Sequence, residues 1–247
     1  MKLALITDLH ANREAVTAVM AHAREQRAQR YALLGDFVGY GADPGWTVDL
    51  VRELVAQGAV AVFGNHDAAV VSGASPSMIP DARHVVEWTR SHLDQAQLDF
   101  LAALPVSVTE GDILFVHANA WAPTEWAYIT GRSDAVRSMH ATDCRYTFCG
   151  HMHPPMLYHL TGTGKSGDFT PAPGIDIPLS AQRRWLAIPG SVGQPRDGNP
   201  AACYAMFDTA LRTLTFHRVP YDVEAAGAKI IAAGLPPQLA HRLADGT

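Results

Sequence analysis

The 247-residue chain is 48% apolar and 17% charged, with a net charge of -5. That length carries one substantial core or at most two small ones, and the acidic balance gives no support to wholesale binding of nucleic acid or anionic membrane. No apolar run is long enough for a membrane span, the opening stretch meets Asp8 and His10 too soon for a signal peptide, and three cysteines without a close pair make no disulfide framework, so the expected address is the cytoplasm.

Lys2 to Thr7 reads as a compact strand with Asp8 and His10 just past its end. Asn12 is placed to cap a helix from about Arg13 to Gln29, where Val16, Val19, Met20 and Ala23 recur at helical spacing. Tyr31 to Leu34 is a second strand, ending at Gly35-Asp36. After the turn Gly39-Tyr40-Gly41, Asp43 and Pro44 are the cap and first residue of a helix reaching about Gln57. The third strand, Val60 to Phe63, stops at Gly64-Asn65-His66-Asp67. From Ala68 to Pro105 the pattern is helical, with Asp94 capping Gln95 to Leu104. Val106 to Val108 and Ile113 to Val116 flank Glu110-Gly111-Asp112, a hairpin signal, and the second of them runs into His117.

Ala118 to Ile129 is a loop containing Trp121, Trp126 and Tyr128, and Ser133 is placed to cap a short helix to His140. Tyr146 to Cys149 is a strand ending at Gly150-His151-Met152-His153. Gly162 to Pro178 is rich in glycine and proline. The strands beyond it (Trp185 to Ile188, Tyr204 to Phe207, Thr213 to Val219) read as antiparallel, and helices around Glu224 to Ala233 and Gln238 to Ala244 close the chain. No repeat or linker interrupts it, so residues 1–247 are expected to form a single domain.

Strand–helix alternation predicts a largely parallel sheet covered by helices, and ligands of such sheets sit beyond the carboxyl ends of the strands. Five strand ends here carry the same class of residue. Asp8, His10, Asp36, Asn65, His117, His151 and His153 offer mixed nitrogen and oxygen donors without a thiolate, a set suited to transition-metal cations rather than calcium. Seven ligands exceed one tetrahedral site but fit two ions, with the two oxygens of Asp36 divided between them. Two metals roughly 3.5–4 Å apart clamp a phosphoryl group and acidify a water, which suits hydrolysis of a phosphoester. Alternation along an extended segment would point both members of Asp8-Leu9-His10, and of His151-Met152-His153, at one site. Glycines at 35, 64 and 150 permit turns that a side chain would obstruct. His22, His84, His92, His140, His159, His217 and His241 lack this context and are taken as surface or hydrogen-bonded histidines.

The blocks Asp8-x-His10, Gly35-Asp36, Gly64-Asn65-His66-Asp67, His117 and Gly150-His151-x-His153, in this order, resemble the calcineurin-like metallophosphoesterase family. The resemblance implies an α/β (α+β) fold, a four-layer αββα sandwich of two mixed β-sheets flanked by helices. It implies that Asp8, His10, Asp36 and His153 hold one ion and that Asp36, Asn65, His117 and His151 hold the other. Manganese is the expected metal, with iron, zinc, nickel or magnesium as alternatives. His66 resembles the family's general acid, protonating the leaving oxygen as a metal-bound hydroxide attacks. Asp67 is either its partner or an acid at a helix start. The chain departs from the phosphoprotein phosphatases, which continue Gly-Asp-x-x with Asp-Arg-Gly: here Phe37-Val38-Gly39-Tyr40-Gly41 follows, without the orienting acid or the phosphate-gripping arginine.

Arg196, in the turn-rich loop Pro189 to Asp197, is the expected replacement phosphate ligand, and Asn12 is a second candidate. Trp121, Trp126 and Tyr128 either wall a pocket or pack on the core. The expected substrate is a small phosphodiester or nucleotide, with a phosphomonoesterase or protein phosphatase as the alternative and a non-catalytic scaffold behind it. A nuclease lacks an obvious basic groove.

Overall fold

A computed structural model describes residues 1–247. Strands β1 (Lys2–Ile6), β2 (Arg30–Leu33) and β3 (Val60–Ala61) run parallel, and the connections between them contain helices α1 (Arg13–Glu25) and α2 (Pro44–Ala56). The helical stretch that follows is three helices rather than one run: α3 (Asn65–Ser72), α4 (Pro80–Ser91) and α5 (Gln95–Ala102). Asn65, His66 and Asp67 therefore form the first turn of α3. Strands β4 (Ser107–Glu110) and β5 (Ile113–Val116) make the expected hairpin. Helix α6 (Arg132–His140) leads to β6 (Tyr146–Phe148), which lies parallel to β5.

Three strands in the next stretch were not foreseen: β7 (Met156–Thr161), β8 (Ser166–Phe169) and β9 (Asp176–Pro178). β8 and β9 are short sheet edges, where a glycine or proline is tolerated because one side of the strand needs no partner. Strands β10 (Arg183–Ile188), β11 (Ala202–Asp208) and β12 (Thr213–Val219) and helices α7 (Val223–Ala232) and α8 (Pro237–Asp245) complete the order. β10 is antiparallel to β7 but parallel to β6, so the antiparallel reading of the later strands holds on only one of its sides.

The strands form two mixed six-stranded sheets, in the orders β3-β2-β1-β11-β12-β9 and β4-β5-β6-β10-β7-β8. Alternation along β1 shows how they stack. Leu3 and Leu5 pack between the sheets with Phe148, Phe207 and Phe216, while Ala4 and Ile6 turn outward against Val16 and Val19 of α1. On the far side, Leu114, Leu186 and Ile188 of the second sheet cover Ala135 and Met139 of α6. The result is the four-layer αββα arrangement that the sequence led us to expect.

Caps were read with mixed success. Asn12 accepts from the Ala15 N–H at 3.1 Å, and Asp94 and Gln97 form a reciprocal capping box. Asp43 occupies its cap position without making the bond, because its carboxylate is engaged by Lys229 at 2.7 Å. Ser133 is not the cap of α6, which begins at Arg132; Asp134, one turn in, accepts from Thr130 instead.

Candidate metal centre

Three strand ends of the first sheet and two of the second meet at one seam, and all seven predicted ligands come together there. His153 Nε2 lies 3.5 Å from Asp8 Oδ1 and 3.2 Å from His10 Nε2. His117 Nε2 lies 3.3 Å from Asp36 Oδ2 and 3.0 Å from Asn65 Oδ1. Donor atoms of Asp8, His10 and His153 form one convergent group and those of Asp36, His117 and His151 another, each within 4.8 Å; a third joins His10, Asp36 and His66.

The hydrogen bonds fix which atoms face the seam. The Nδ1 atoms of His10, His117 and His153 donate to the carbonyls of Val38, Leu34 and Gln194 at 3.3, 2.7 and 2.5 Å. His151 uses Nε2 for the Trp126 carbonyl, at 2.9 Å. Each bond leaves the opposite ring nitrogen turned inward, a lone pair wherever the ring is neutral, the usual arrangement behind metal-binding imidazoles. Two neutral imidazoles that both present Nε2 lone pairs 3.2 Å apart cannot bond each other; a cation between them reconciles the contact.

The carboxylates divide their oxygens in the same way. Asp8 Oδ2 accepts from Thr7 Oγ1 at 2.8 Å, and the His151 N–H is shared between Oδ2 at 3.1 Å and Oδ1 at 3.2 Å, with Oδ1 also beside the histidines. Asp36 Oδ1 accepts the His66 N–H at 2.8 Å, at the start of α3, while Oδ2 lies 3.3 Å from His117 Nε2 and 4.0 Å from His10 Nε2. One oxygen of Asp36 is thus held by the backbone while the other faces both groups. Donor set, tautomers and lone-pair directions all fit a pair of divalent cations.

The extended-segment reason for the Asp-x-His and His-x-His spacings does not hold. Asp8, His10, Asp36, His151 and His153 adopt φ values of 54°, 47°, 55°, 69° and 70°, in the left-handed region. Ala11, Tyr40 and Trp126 beside them do the same, and of ten such non-glycine residues only Arg27 and Arg212 lie elsewhere. Each left-handed residue costs on the order of 1–3 kcal/mol and persists only when its surroundings over-determine it, a pattern that gathers at functional sites. Gly35 is needed outright: its φ is 90°, and a Cβ there would stand 2.7 Å from His117 Nδ1.

Burial and mutual charge pull the titrating groups apart. Burial pushes Asp8 up to about 7, partly offset by the His117 charge. Burial works against a proton on His117, yet the Asp36 and Asp8 carboxylates outweigh it and lift the imidazole to about 9. His151 is pushed down to about 4, chiefly by burial and then by His117. His10 and His153 are driven well below the ordinary histidine value by burial. In the protein without metal, protons thus gather on His117 while three other imidazoles stay neutral, as ligands must be.

The remaining candidates separate. His66 packs at 5.0 Å from the His10 ring and 4.4 Å from Tyr40, with its Nδ1 against Gly39. Asp67 does not pair with it. Its carboxylate accepts from the backbone N–H groups of Asp36, Phe37, Val38 and Gly64 at 2.9–3.3 Å, latching the Gly35-Asp36 turn to α3. Asn12 is not free for substrate either: beyond its cap, its Nδ2 donates to the Gly193 carbonyl and Tyr221 Oη. Arg196 stands at the rim, bonded to Gln194 Oε1 at 2.8 Å and to Tyr40 Oη at 3.3 Å. Tyr128 stacks on His151 at 4.1 Å and the Trp126 ring meets His117 edge-on, whereas Trp121 lies under Arg137, on the core.

Sequence reasoning missed Tyr40, which touches His10, His66 and Arg196 and was read only as part of a glycine turn. It also missed Gln194, whose carbonyl orients His153 and whose side chain holds Arg196. Neither carries a signal in the sequence, because each acts through where the fold places it.

Comparison with known proteins gives a consistent result. Residues 1–211 match the model of the calcineurin-like phosphoesterase superfamily domain. The uncharacterized protein MJ0912 of Methanocaldococcus jannaschii is 33% identical over 246 residues, covering 98% of this chain and 96% of that protein. The crystal structure of a metallophosphoesterase from Sphaerobacter thermophilus superposes with a TM-score of 0.89 at 36% identity, over 100% of this chain and 99% of that one. A hypothetical protein, PH1004 from Pyrococcus horikoshii OT3, shares the fold at a TM-score of 0.80 and 17% identity, over 100% and 98% of the two chains.

Proposed function

The chain belongs to the calcineurin-like phosphoesterase superfamily, and from that premise we propose that it hydrolyses small phosphodiester or nucleotide-type substrates at a two-cation centre. One observation carries the reading: four imidazoles, each tied by one nitrogen to a backbone carbonyl, turn the other nitrogen toward two buried carboxylates, with Asp36 Oδ2 between the groups. Asp8, His10, Asp36 and His153 would hold one ion, and Asp36, Asn65, His117 and His151 the other. When bound, such ions neutralise phosphoryl oxygens and acidify a water at neutral pH. Nitrogen and oxygen donors without a thiolate favour manganese, with iron, zinc, nickel or magnesium as alternatives.

The chain's own residues supply the rest. His66, at the mouth of the centre, hands a proton to the leaving oxygen through Nε2, the ring nitrogen turned away from Gly39. Asp67 positions the Asp36 turn and touches no reacting atom. Arg196 orients a phosphate oxygen through charge-assisted hydrogen bonds. We take residues 1–247 as one domain, because β1 near the start pairs with β11 and β12 follows in the same sheet. We place the protein in the cytoplasm: its three cysteines are buried and free, and no helix is long and apolar enough to cross a membrane.

The test is a matched panel of a nitrophenyl diester and monoester with manganese-loaded protein, alongside metal analysis. Two ions per chain and a kcat/KM at least about tenfold higher on the diester are expected. Arg196→Ala should cost on the order of tenfold on the diester, the worth of one charge-assisted hydrogen bond. Preference for the monoester reverses the substrate assignment, and no turnover after full loading removes the hydrolytic one.

A further inference from the structure

A cavity of about 380 Å³ is lined at one part of its wall by Asn65 and His66 and otherwise by residues outside the predicted ligand set. It lies between α3, α4 and α8. Eight of its fourteen lining residues are apolar, among them Ala69, Met78, Val86 and Leu239, and the polar ones besides Tyr40 and His66 are Asn65, Asp81, Gln238 and Arg242. Ile79 at its rim is 70% exposed, a large aliphatic side chain with no apolar cover. The charged groups lie at the outer end, where Asp81 is engaged by Gln238 and Arg242 borders solvent. This size is near the small end for ligand sites, room for one or two rings and not for a peptide.

We infer that this cavity receives the departing group of the substrate and selects one that is apolar and uncharged, an aryl or alkyl alcohol; the inference rests on the phosphodiester reading above and narrows it. The reasoning runs through His66. A general acid must touch the oxygen that leaves, and His66, beside Asn65, both joins the metal cluster and lines the cavity. Whatever is bonded to that oxygen extends into the space His66 borders. The other ester group must then point elsewhere, toward the side where exposed Tyr128 stacks on His151. In the step itself, water adds to phosphorus, the P–O bond to the departing alcohol breaks, and its oxygen takes the His66 proton. The proton given up by the attacking water restores the imidazole. A charged leaving group would be desolvated against Ala69, Met78, Val86 and Leu239, with Asp81 already engaged by Gln238 and Arg242 exposed to solvent, whereas an apolar one gains about 25 cal/mol for each Å² it buries.

Two arms test this. Naphthol alone, titrated onto metal-free protein and followed by ligand-observed NMR, should bind saturably. Binding should be lost in Ala82→Trp, which fills the cavity, and weakened in Ile79→Glu; both positions are solvent-exposed, so the fold should survive. In the second arm, methyl phosphodiesters of naphthol and of naphtholsulfonate are compared on manganese-loaded protein. The uncharged leaving group should be favoured in kcat/KM by about tenfold or more, and Ala82→Trp should bring the ratio toward one through the naphthyl ester. Turnover of both esters with no discrimination, or discrimination untouched by both variants, overturns the cavity assignment alone. No turnover of either ester overturns the hydrolytic reading, and naphthol binding that survives Ala82→Trp unchanged overturns the cavity whatever the enzyme does.

Discussion

The molecule gathers histidines in two places, and only one of them has the makings of a metal site. On the helix side of the first sheet, His22 Nδ1 bonds Tyr204 Oη at 2.7 Å, and His217 stacks on Tyr204 and packs edge-on to His22, each at 5.0 Å. Neither histidine belongs to a group of carboxylates and imidazoles converging within 4.8 Å. At the seam, by contrast, every ligating ring is tied by one nitrogen to a backbone carbonyl and turns the other toward a carboxylate. Proximity of imidazoles is therefore a poor criterion. Lone pairs aimed at a common point, with negative charge beside it, are a good one.

The strongest way to break this comparison is Asp36→Ala. It removes the one oxygen facing both groups and should lower kcat/KM on a phosphodiester by roughly ten-thousandfold, with loss of copurified metal, while an equally radical change at His217 leaves rate and metal content unchanged. Asp67→Ala comes next. It frees four backbone N–H groups and loosens the Asp36 turn without touching a ligand, so metal affinity should fall about tenfold to a hundredfold, read by competition with a chelating dye. Activity at saturating manganese should largely recover, as a positioning role requires.

Metal-linked stability sharpens the contrast further. Manganese at about a hundred times its dissociation constant should stabilise the protein by about 2.7 kcal/mol for each of the two sites, a rise of several degrees in Tm. His217→Asn should keep that rise and His153→Ala should lose it. The smallest effect is in pH. An unfolded imidazole takes its proton below about 6.5, but His217 is held down to about 4, by burial and then by His22. Between those values the unfolded chain binds more protons, so metal-free protein should lose stability as pH falls from about 6.5 to 4, with no contribution above that window. His151, also pushed down to about 4, shares the slope. Thermal melts across the range should show His217→Asn with the shallower decline, and an unchanged decline would mean that His217 titrates as it does in water.

The ligand set was legible because each member follows a strand of recognisable composition, and the rule that sites lie beyond strand ends needs no coordinates. The four layers followed from the family pattern. What could not be read was how the ligands are aimed. Asp8, His10, His151 and His153 reach the seam through left-handed turns, and nothing in Asp-x-His announces a φ of 54° or 47°. Of the two readings of Asp67, the helix-start acid holds, its carboxylate accepting the Gly64 N–H in the first turn of α3; its reach to the N–H groups of residues 36–38 has no signal in the sequence. Edge strands β8 and β9 were hidden by their glycine and proline, which are informative in a sheet interior but not at its margin. The cavity beyond His66 is drawn from three separate helices, and no local window of sequence contains it.

The division of ligands between the sheets also bears on how the protein comes into being on the ribosome. The Asp8 block is translated first, His153 only after 152 other residues, and β1 must wait for β11, its antiparallel neighbour at Leu3↔Phe207, until most of the chain has emerged. A nascent polypeptide thus offers scattered, incomplete donor groups for most of its synthesis. On the proposed two-cation reading, a complete donor set would exist only after both sheets have formed.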